Sequence, residues 1–467
     1  MKRTLVWLRQ DLRLQDNPAI TQAAIDGDVA LLYIFDESSQ QGLKPLGGAS
    51  KWWLYQSLKA FSNHIPVLIK RGDPAKILPA IAQELKVDQI FWNRCYAPFE
   101  IQRDANLKSH LKSTYGVKSF NSHLLVEPWQ ITNQQEKPFK VFTPFWKACL
   151  KHLDPIETVK LKNPKWIQHD IPSDSIDDLQ PRYPDWSTEM QKTWRPGELG
   201  AKQQLDHFIK HELNEYARGR DFLDEQKTSR LSPHLRFGEI SPRQIWKAID
   251  VLPQNANTEK FLTELGWREF SYHLLYHFPQ IIDLPLREEF KKFPWSKNKE
   301  HLRAWQKGKT GIPVVDAAMQ ELWVTGYMHN RARMIAASFL TKHLLIPWQE
   351  GEAWFWDTLC DADCANNCVS WQWVSGCGAD AAPYFRIFNP VLQGQKFDPT
   401  GRYVRKWIPQ LAKLPDKFLH CPWEASDDIL NQSGVDLGHN YPKPIIDLKE
   451  GRDKALAAFE KIKNTLR

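Results

Sequence analysis

The chain has 467 residues, of which 42 % are hydrophobic and 25 % charged, with a formal net charge of +7. That balance excludes fibrous, collagen-like and low-complexity proteins and leaves a globular chain long enough for two or three domains. The mild excess of positive charge permits a polyanionic partner without requiring one.

The opening stretch MKRTLVWLRQDLRLQDN carries charge throughout and lacks the apolar heart of a signal peptide. No run of eighteen apolar residues follows, so no membrane span is expected and the location is read as cytoplasmic. Seven scattered cysteines, an odd number, argue against a disulfide framework and fit a reducing compartment. The unusual figure is 21 tryptophans, more than a core of this size asks for. They suggest flat ligands, stacked bases or electron relay.

From residue 1 to about 130, TLVWL, VALLYIF, PVLIKRG and VDQIFWN read as buried parallel strands. Between them KWWLYQSLKAFSNH and PAKILPAIAQELK have helical spacing, which predicts an α/β domain with a doubly wound parallel, Rossmann-like sheet. No GxGxxG follows the first strand, so an ordinary dinucleotide site there is unsupported. Residues 131–195 are rich in Pro, Lys, Asp and Gln and read as a long connector. Residues 196–467 are helical in pattern throughout, giving an all-α second domain.

Chemistry-bearing residues concentrate in that second domain. In DEQKTSRLSPHLRFGEI, Thr228, Ser229 and Ser232 offer hydroxyls and Arg230 a fork, a set that suits a pyrophosphate at a helix start or simply caps the helix. In FLTELGWREF, Glu264, Trp267 and Arg268 are spaced three and four apart, so one helical face carries an acid, a flat ring and a base. Asn330 and Met334 align in YMHNRARMIAASFL, with Arg333 one step around. In LCDADCANNCVSWQW, Asp361, Asp363, Asn367, Trp371 and Trp373 cluster. An amide such as Asn367 both donates and accepts, so it tolerates a partner that changes redox state. Cys360, Cys364 and Cys368 fall at steps of four with Cys377 nearby. The usual CxxC spacing of a metal site is absent, and no metal is expected.

Together WLRQDLRLQDN, TSRLSPHLRFGEISPRQ, ELGWREF, WQKGKTGIPVVDAAM, YMHNRARMIAASFL, ANNCVSWQW and DAAPYFRIFNP resemble the photolyase/cryptochrome family in order and spacing over nearly the whole chain. The resemblance implies an α/β antenna domain and a helical domain that holds FAD. It implies blue-light-driven electron transfer from reduced flavin to a pyrimidine dimer in UV-damaged DNA by a monomeric enzyme. By position, Tyr216 and Thr228, Ser229, Arg230, Leu231 and Ser232 then look like the flavin phosphate shell, with Arg268 a further cofactor contact. Arg333 and Asp361 look like the ion pair beside the flavin ring, Asp363 like a ribose or ring-edge contact, and Asn367 like the amide facing flavin N5. Trp371, Trp348 and Trp295 match the family's photoreduction chain.

Within the family, Glu264, Trp267 and Trp373 match the acid and the stacking rings that hold a cyclobutane dimer. Asn330 and Met334 stand where enzymes for (6-4) products carry a histidine pair, and Asn367 is the photolyase choice where plant cryptochromes tend to carry Asp. No long tail is expected after the helical domain, unlike many signalling members. The reading is therefore a cyclobutane pyrimidine dimer photolyase, with a bacterial cryptochrome or single-strand-specific photolyase as the alternative. For the antenna, Glu100 with Trp52 or Trp53 points to 5,10-methenyltetrahydrofolate, against 8-hydroxy-5-deazaflavin or FMN. Phe99 and Tyr327 depart from the family's usual Asn and Trp. Arg331, Lys396 and Arg402 are candidate phosphate contacts.

Overall fold

The computed structural model describes residues 1–36, 44–63, 65–153, 157–180, 186–380 and 385–464. The chain forms two compact units, neither continuous in sequence. The first takes in Met1–Trp186, Trp194–Asn214 and Ser229–Pro279. Its strands β1 (Lys2–Leu8), β2 (Gly27–Asp36), β3 (Val67–Gly72), β4 (Gln89–Asn93) and β5 (Gly116–Phe120) pair in the order β3-β2-β1-β4-β5. Every pairing is parallel, and a short β6 (Lys165–Trp166) adds to β2. The apolar runs of the first four strands follow from this topology, since helices cover both faces of a parallel sheet. Leu5, Trp7, Leu32, Leu68, Ile90 and Trp92 form one side of its core. Gly27 opens β2 at φ 156, and a Cβ there would lie 2.1 Å from the carbonyl oxygen of Lys2.

The first unit is larger than the α/β domain read from sequence. Trp53 packs against Trp194, His234 and Phe237, and its indole N–H donates to Glu239 at 2.9 Å. Leu12 N–H donates to the Phe237 carbonyl, and Arg13 to that of Gly238. Inside the expected connector lies a helix, Phe142–Leu150, whose Phe142, Phe145, Trp146 and Cys149 are buried. It packs on the long helix Ala256–His277, where a Cβ on Gly266 would lie 2.6 Å from the Trp146 ring.

Glu269, on that long helix, gives the first unit a pH dependence. It is buried, and its carboxylate accepts from the N–H groups of Leu125 and Val126 at 2.9 and 3.2 Å. Burial pushes its pKa up to about 7, against the pull of Arg268 and those two bonds. The folded chain therefore binds more protons than the unfolded one between the ordinary carboxylate pKa and 7. Stability falls as pH rises through that window and levels off above it, by about 3 kcal/mol at most. Denaturant midpoints between pH 4.5 and 8 should show the decline in the parent and a flatter profile in Glu269→Gln; equal slopes would refute the assignment.

The second unit takes in Ser187–Thr193, Glu215–Thr228 and Gln280–Arg467. Among its described residues it is helical, apart from one isolated bridge between Leu437 and Tyr441. Its helices include Pro313–Thr325, Asn330–Ser338, Trp348–Thr358, Cys364–Ser375 and Pro390–Phe397. They enclose a core in which Trp305, Phe339, Leu340, Trp348 and Trp371 are buried. The Asn330–Ser338 helix runs into a π-helical turn, Phe339–His343, that buries Lys342 with its Nζ donating to the Ser375 carbonyl at 2.7 Å. Among the described residues, no helix is long and apolar enough to cross a membrane.

Candidate functional site

In the second unit, the stretch Leu359–Asp363 is extended or turn-like, and the helix starts only at Cys364. Asp363 is the reason. Its side chain caps the helix, accepting from the backbone N–H of Asn366 at 2.8 Å and from the Asn366 amide at 2.6 Å. Asp363 thus sits at the helix N-terminus, not along its side. Asp361 lies just upstream, buried, and forms an ion pair with Arg333 at 2.8 Å. Burial alone would lower the Arg333 pKa; the Asp361 charge and hydrogen bond more than reverse this. Arg333 also donates to the Met328 carbonyl at 2.7 Å and lies over the Tyr327 ring at 5.2 Å.

Asn367 is oriented by a residue that sequence reading misses. Both amide hydrogens go to Glu352, one to its backbone carbonyl at 3.1 Å and one to its carboxylate at 3.0 Å. Because both partners are acceptors, the amide orientation is settled chemically. The Asn367 carbonyl receives no hydrogen bond among the described residues. Trp371, one turn further along, is 2 % exposed. Its ring lies against Gly351, where a Cβ would come within 2.1 Å, and edge-on to Phe355 at 5.0 Å. Trp305, which opens the WQKGKTGIPVVDAAM motif but carries no role in the sequence reading, stands edge-on to it at 6.1 Å. Trp373 follows Trp371 by two residues, about 200° around the helix, and is half-buried, donating to the Asp380 carbonyl at 3.2 Å. Trp348 is buried, and Trp295 is half-buried against Phe293 at 4.3 Å.

Asn330 and Met334 meet as expected, with the amide nitrogen 4.0 Å from the Met sulfur; Arg331 reaches the same sulfur at 3.8 Å. Tyr216 is buried beneath Arg220, and Thr228 ends this unit's Glu215–Thr228 segment. None of the seven cysteines forms a disulfide.

The first unit holds the other candidates. Glu264 pairs with Lys260 at 3.0 Å, and Trp267 is stacked face to face on Phe142 at 3.8 Å. Arg268, on the same helix, donates to the His123 carbonyl at 2.8 Å and lies 2.7 Å from its ring nitrogen. Ser229 accepts from Gln204 through its carbonyl, Arg230 adopts φ 51 with its guanidinium over Trp194 at 4.2 Å, and Leu231 is buried. Ser232 opens a helix of only five residues, too short for the helix-start argument to carry much. Trp52 and Trp53 are core side chains, 1 % and 0 % exposed, so neither offers a face to a pterin; that antenna expectation is corrected. Glu100 caps its own helix through the Ala97 N–H and accepts from Gln10.

Residues 4–165 match the family described as DNA photolyase, and residues 261–461 the FAD binding domain of DNA photolyase. The chain belongs to the DNA photolyase family. It is 45 % identical to the deoxyribodipyrimidine photo-lyase of Agrobacterium fabrum, covering 99 % of this chain and 98 % of that one. It is 37 % identical to cryptochrome-2 of Arabidopsis thaliana, covering 98 % of this chain and 79 % of that one. The crystal structure of a bacterial class III photolyase from Agrobacterium tumefaciens superposes with a TM-score of 0.96 at 43 % identity, covering 99 % of this chain and 98 % of that one.

The photolyase site fits FAD on its own chemistry. An amide locked with its carbonyl outward presents an acceptor, which the N5–H of a reduced flavin would satisfy. The Trp371 indole N–H is likewise buried without a hydrogen-bond partner among the described residues. Arg333 and Asp361 supply a donor fork and a carboxylate from one neutral pair.

Proposed function

We propose that the protein is a light-dependent DNA-repair lyase, a deoxyribodipyrimidine photolyase acting on cyclobutane pyrimidine dimers. The observation that carries this is Asn367, an amide clamped by Glu352 where plant cryptochromes tend to carry an acid. When bound, reduced and illuminated, the flavin supplies an electron that opens the cyclobutane ring and then returns. Among the chain's own residues, Asn367 would hold the flavin N5 through its carbonyl, and Arg333 and Asp361 would flank the ring system. Tyr216, Thr228, Ser229, Arg230, Leu231 and Ser232 are assigned to the phosphates, and Asp363 to a ribose or ring-edge contact. Arg268 is assigned to the cofactor, and its guanidinium is held by His123.

Trp267 keeps one face on Phe142 and offers its other side for stacking, and Glu264 is paired with Lys260 at 3.0 Å. With Trp373, Asn330 and Met334 they are assigned to the dimer. A dimer must leave the base stack to be reached, and damage lowers that cost. Trp371, Trp348 and Trp295 are assigned to flavin photoreduction. For the antenna we favour methenyltetrahydrofolate with Glu100, whose pKa burial raises; the absorption spectrum separates it from a deazaflavin or FMN.

The deciding experiment mixes the reduced protein with an oligonucleotide carrying one thymine cyclobutane dimer. Dimer loss only under blue light is expected, and Glu264→Ala should slow it about tenfold, about 1.4 kcal/mol of barrier. Intact flavin photoreduction with no dimer loss would leave the cryptochrome reading, which the Arabidopsis relative supports.

A further inference from the structure

Two arginines of the second unit that the sequence offers as phosphate contacts are already paired, and by one loop. Arg331 donates to Asp221 at 2.6 Å, although the two lie 110 residues apart in the chain. Arg402 donates to Asp224 at 2.6 and 2.7 Å across 178 residues. The loop between these aspartates is pinned: Leu223 is buried, and its N–H donates to the Phe397 carbonyl at 2.8 Å. Arg331 lies over the same Phe397 ring at 4.3 Å, beside Met334 and Asn330. Lys396, next to Phe397, has no ion-pair partner among the described residues.

The two pairs are built asymmetrically. The Asp224 side chain is 5 % exposed and also accepts from the Thr400 hydroxyl, while Arg402 keeps 69 % of its side chain in water. The carboxylate is therefore fixed and the guanidinium remains presented. Arg331 is more enclosed at 18 %, against 38 % for Asp221. A phosphate approaching either arginine meets a cation whose charge is already offset by a carboxylate anchored within the protein.

We propose that Asp221 and Asp224 are intramolecular competitors for DNA phosphate, set to restrain the protein's sequence-independent affinity for DNA. The proposal rests on the DNA-repair reading above. Phosphate contacts position a protein without distinguishing one stretch of duplex from another. Weakening them equally on damaged and undamaged DNA leaves discrimination to the dimer contacts and shortens the time lost on intact duplex. Each arginine freed of its aspartate adds about one phosphate-equivalent of counterion release, steepening the salt dependence of binding by about 0.9 in log–log slope.

The test measures dark binding of the holoprotein to an undamaged duplex and to the same duplex with one dimer, across a salt series. Asp221→Asn and Asp224→Asn should each bind both duplexes about threefold more tightly at low salt, the scale of a partly exposed ion pair. The ratio between the duplexes should stay as in the parent. Arg331→Gln should weaken binding, and adding Asp221→Asn to it should bring no gain, because the cation that the aspartate restrains is gone. If the aspartates only staple the loop, both single variants melt at lower temperature and bind no more tightly, which overturns the proposal. A gain from Asp221→Asn that survives in the double variant overturns it too. A parent protein that binds neither duplex would instead refute the repair reading on which the proposal stands.

Discussion

Asp361→Asn should strip the protein of most of its flavin. The carboxylate is 3 % exposed and faces a guanidinium that is itself largely enclosed, at 26 %. Removing the negative partner leaves Arg333 charged and partly buried, with the Met328 carbonyl and the Tyr327 ring as its remaining neighbours. Breaking such a pair costs about 3 kcal/mol, the low end of the range because Arg333 is not wholly desolvated. If that cost falls on the flavin-competent arrangement, occupancy drops by about two orders of magnitude. The ratio of flavin absorbance to protein after purification reads the loss directly. Far-ultraviolet circular dichroism should show the helices intact. A variant that retains full flavin and unaltered repair would remove Asp361 from the site.

The second large effect concerns Trp371. Phenylalanine at this position keeps most of the volume lodged between Gly351 and Phe355 but gives up the easily oxidised indole. Trp371→Phe should therefore fold and bind flavin, with a stability loss of about 1–2 kcal/mol from the smaller ring. Light-driven reduction of the oxidised flavin by external donors should fall by about a hundredfold, equivalent to about 2.7 kcal/mol on the rate-limiting step. Dimer repair by chemically pre-reduced protein should persist, because the route of refilling is then bypassed. Equal loss of both activities would mean that Trp371 supports the site's shape rather than electron supply. Undiminished photoreduction would point to another ring, and Trp305 stands edge-on at 6.1 Å.

How far such features can be read from sequence depends on the length scale of the interaction. The first four strands are legible because a strand buried on both faces reads as a continuous apolar run, and LVWL, ALLYIF, VLI and IFW each are. β5 escapes because GVKSF is short and lies at the sheet's edge, where alternation is weak. The Phe142–Leu150 helix escapes for another reason: Phe142, Phe145, Trp146 and Cys149 do carry helical spacing, but a polar, proline-rich setting masks it. The Arg333–Asp361 and Asn330–Met334 pairings were expected and are found. Glu352 was not, since its hold on Asn367 exists only once two helices pack, and no local pattern marks it. Trp52 and Trp53 show the converse. A tryptophan's identity says nothing about whether a ligand or a neighbour covers its face, and here Trp194, His234 and Phe237 take the space around Trp53.

The division of the chain into two interleaved units has a consequence during synthesis. The first unit lacks its last segment until Pro279 has been made, and the second, although it begins at Ser187, closes only with the final helices. At about 5–20 residues per second, a ribosome needs about 15–60 s to reach that point. The sheet is complete once Trp166 has been made, yet the Trp53 surface that will meet Trp194, His234 and Phe237 stays uncovered until those residues follow, about 4–14 s later at the same rate. Over that stretch of elongation the nascent chain exposes apolar surface of the kind hydrophobic-binding chaperones hold. For the same reason no single cut in the gene releases either unit whole.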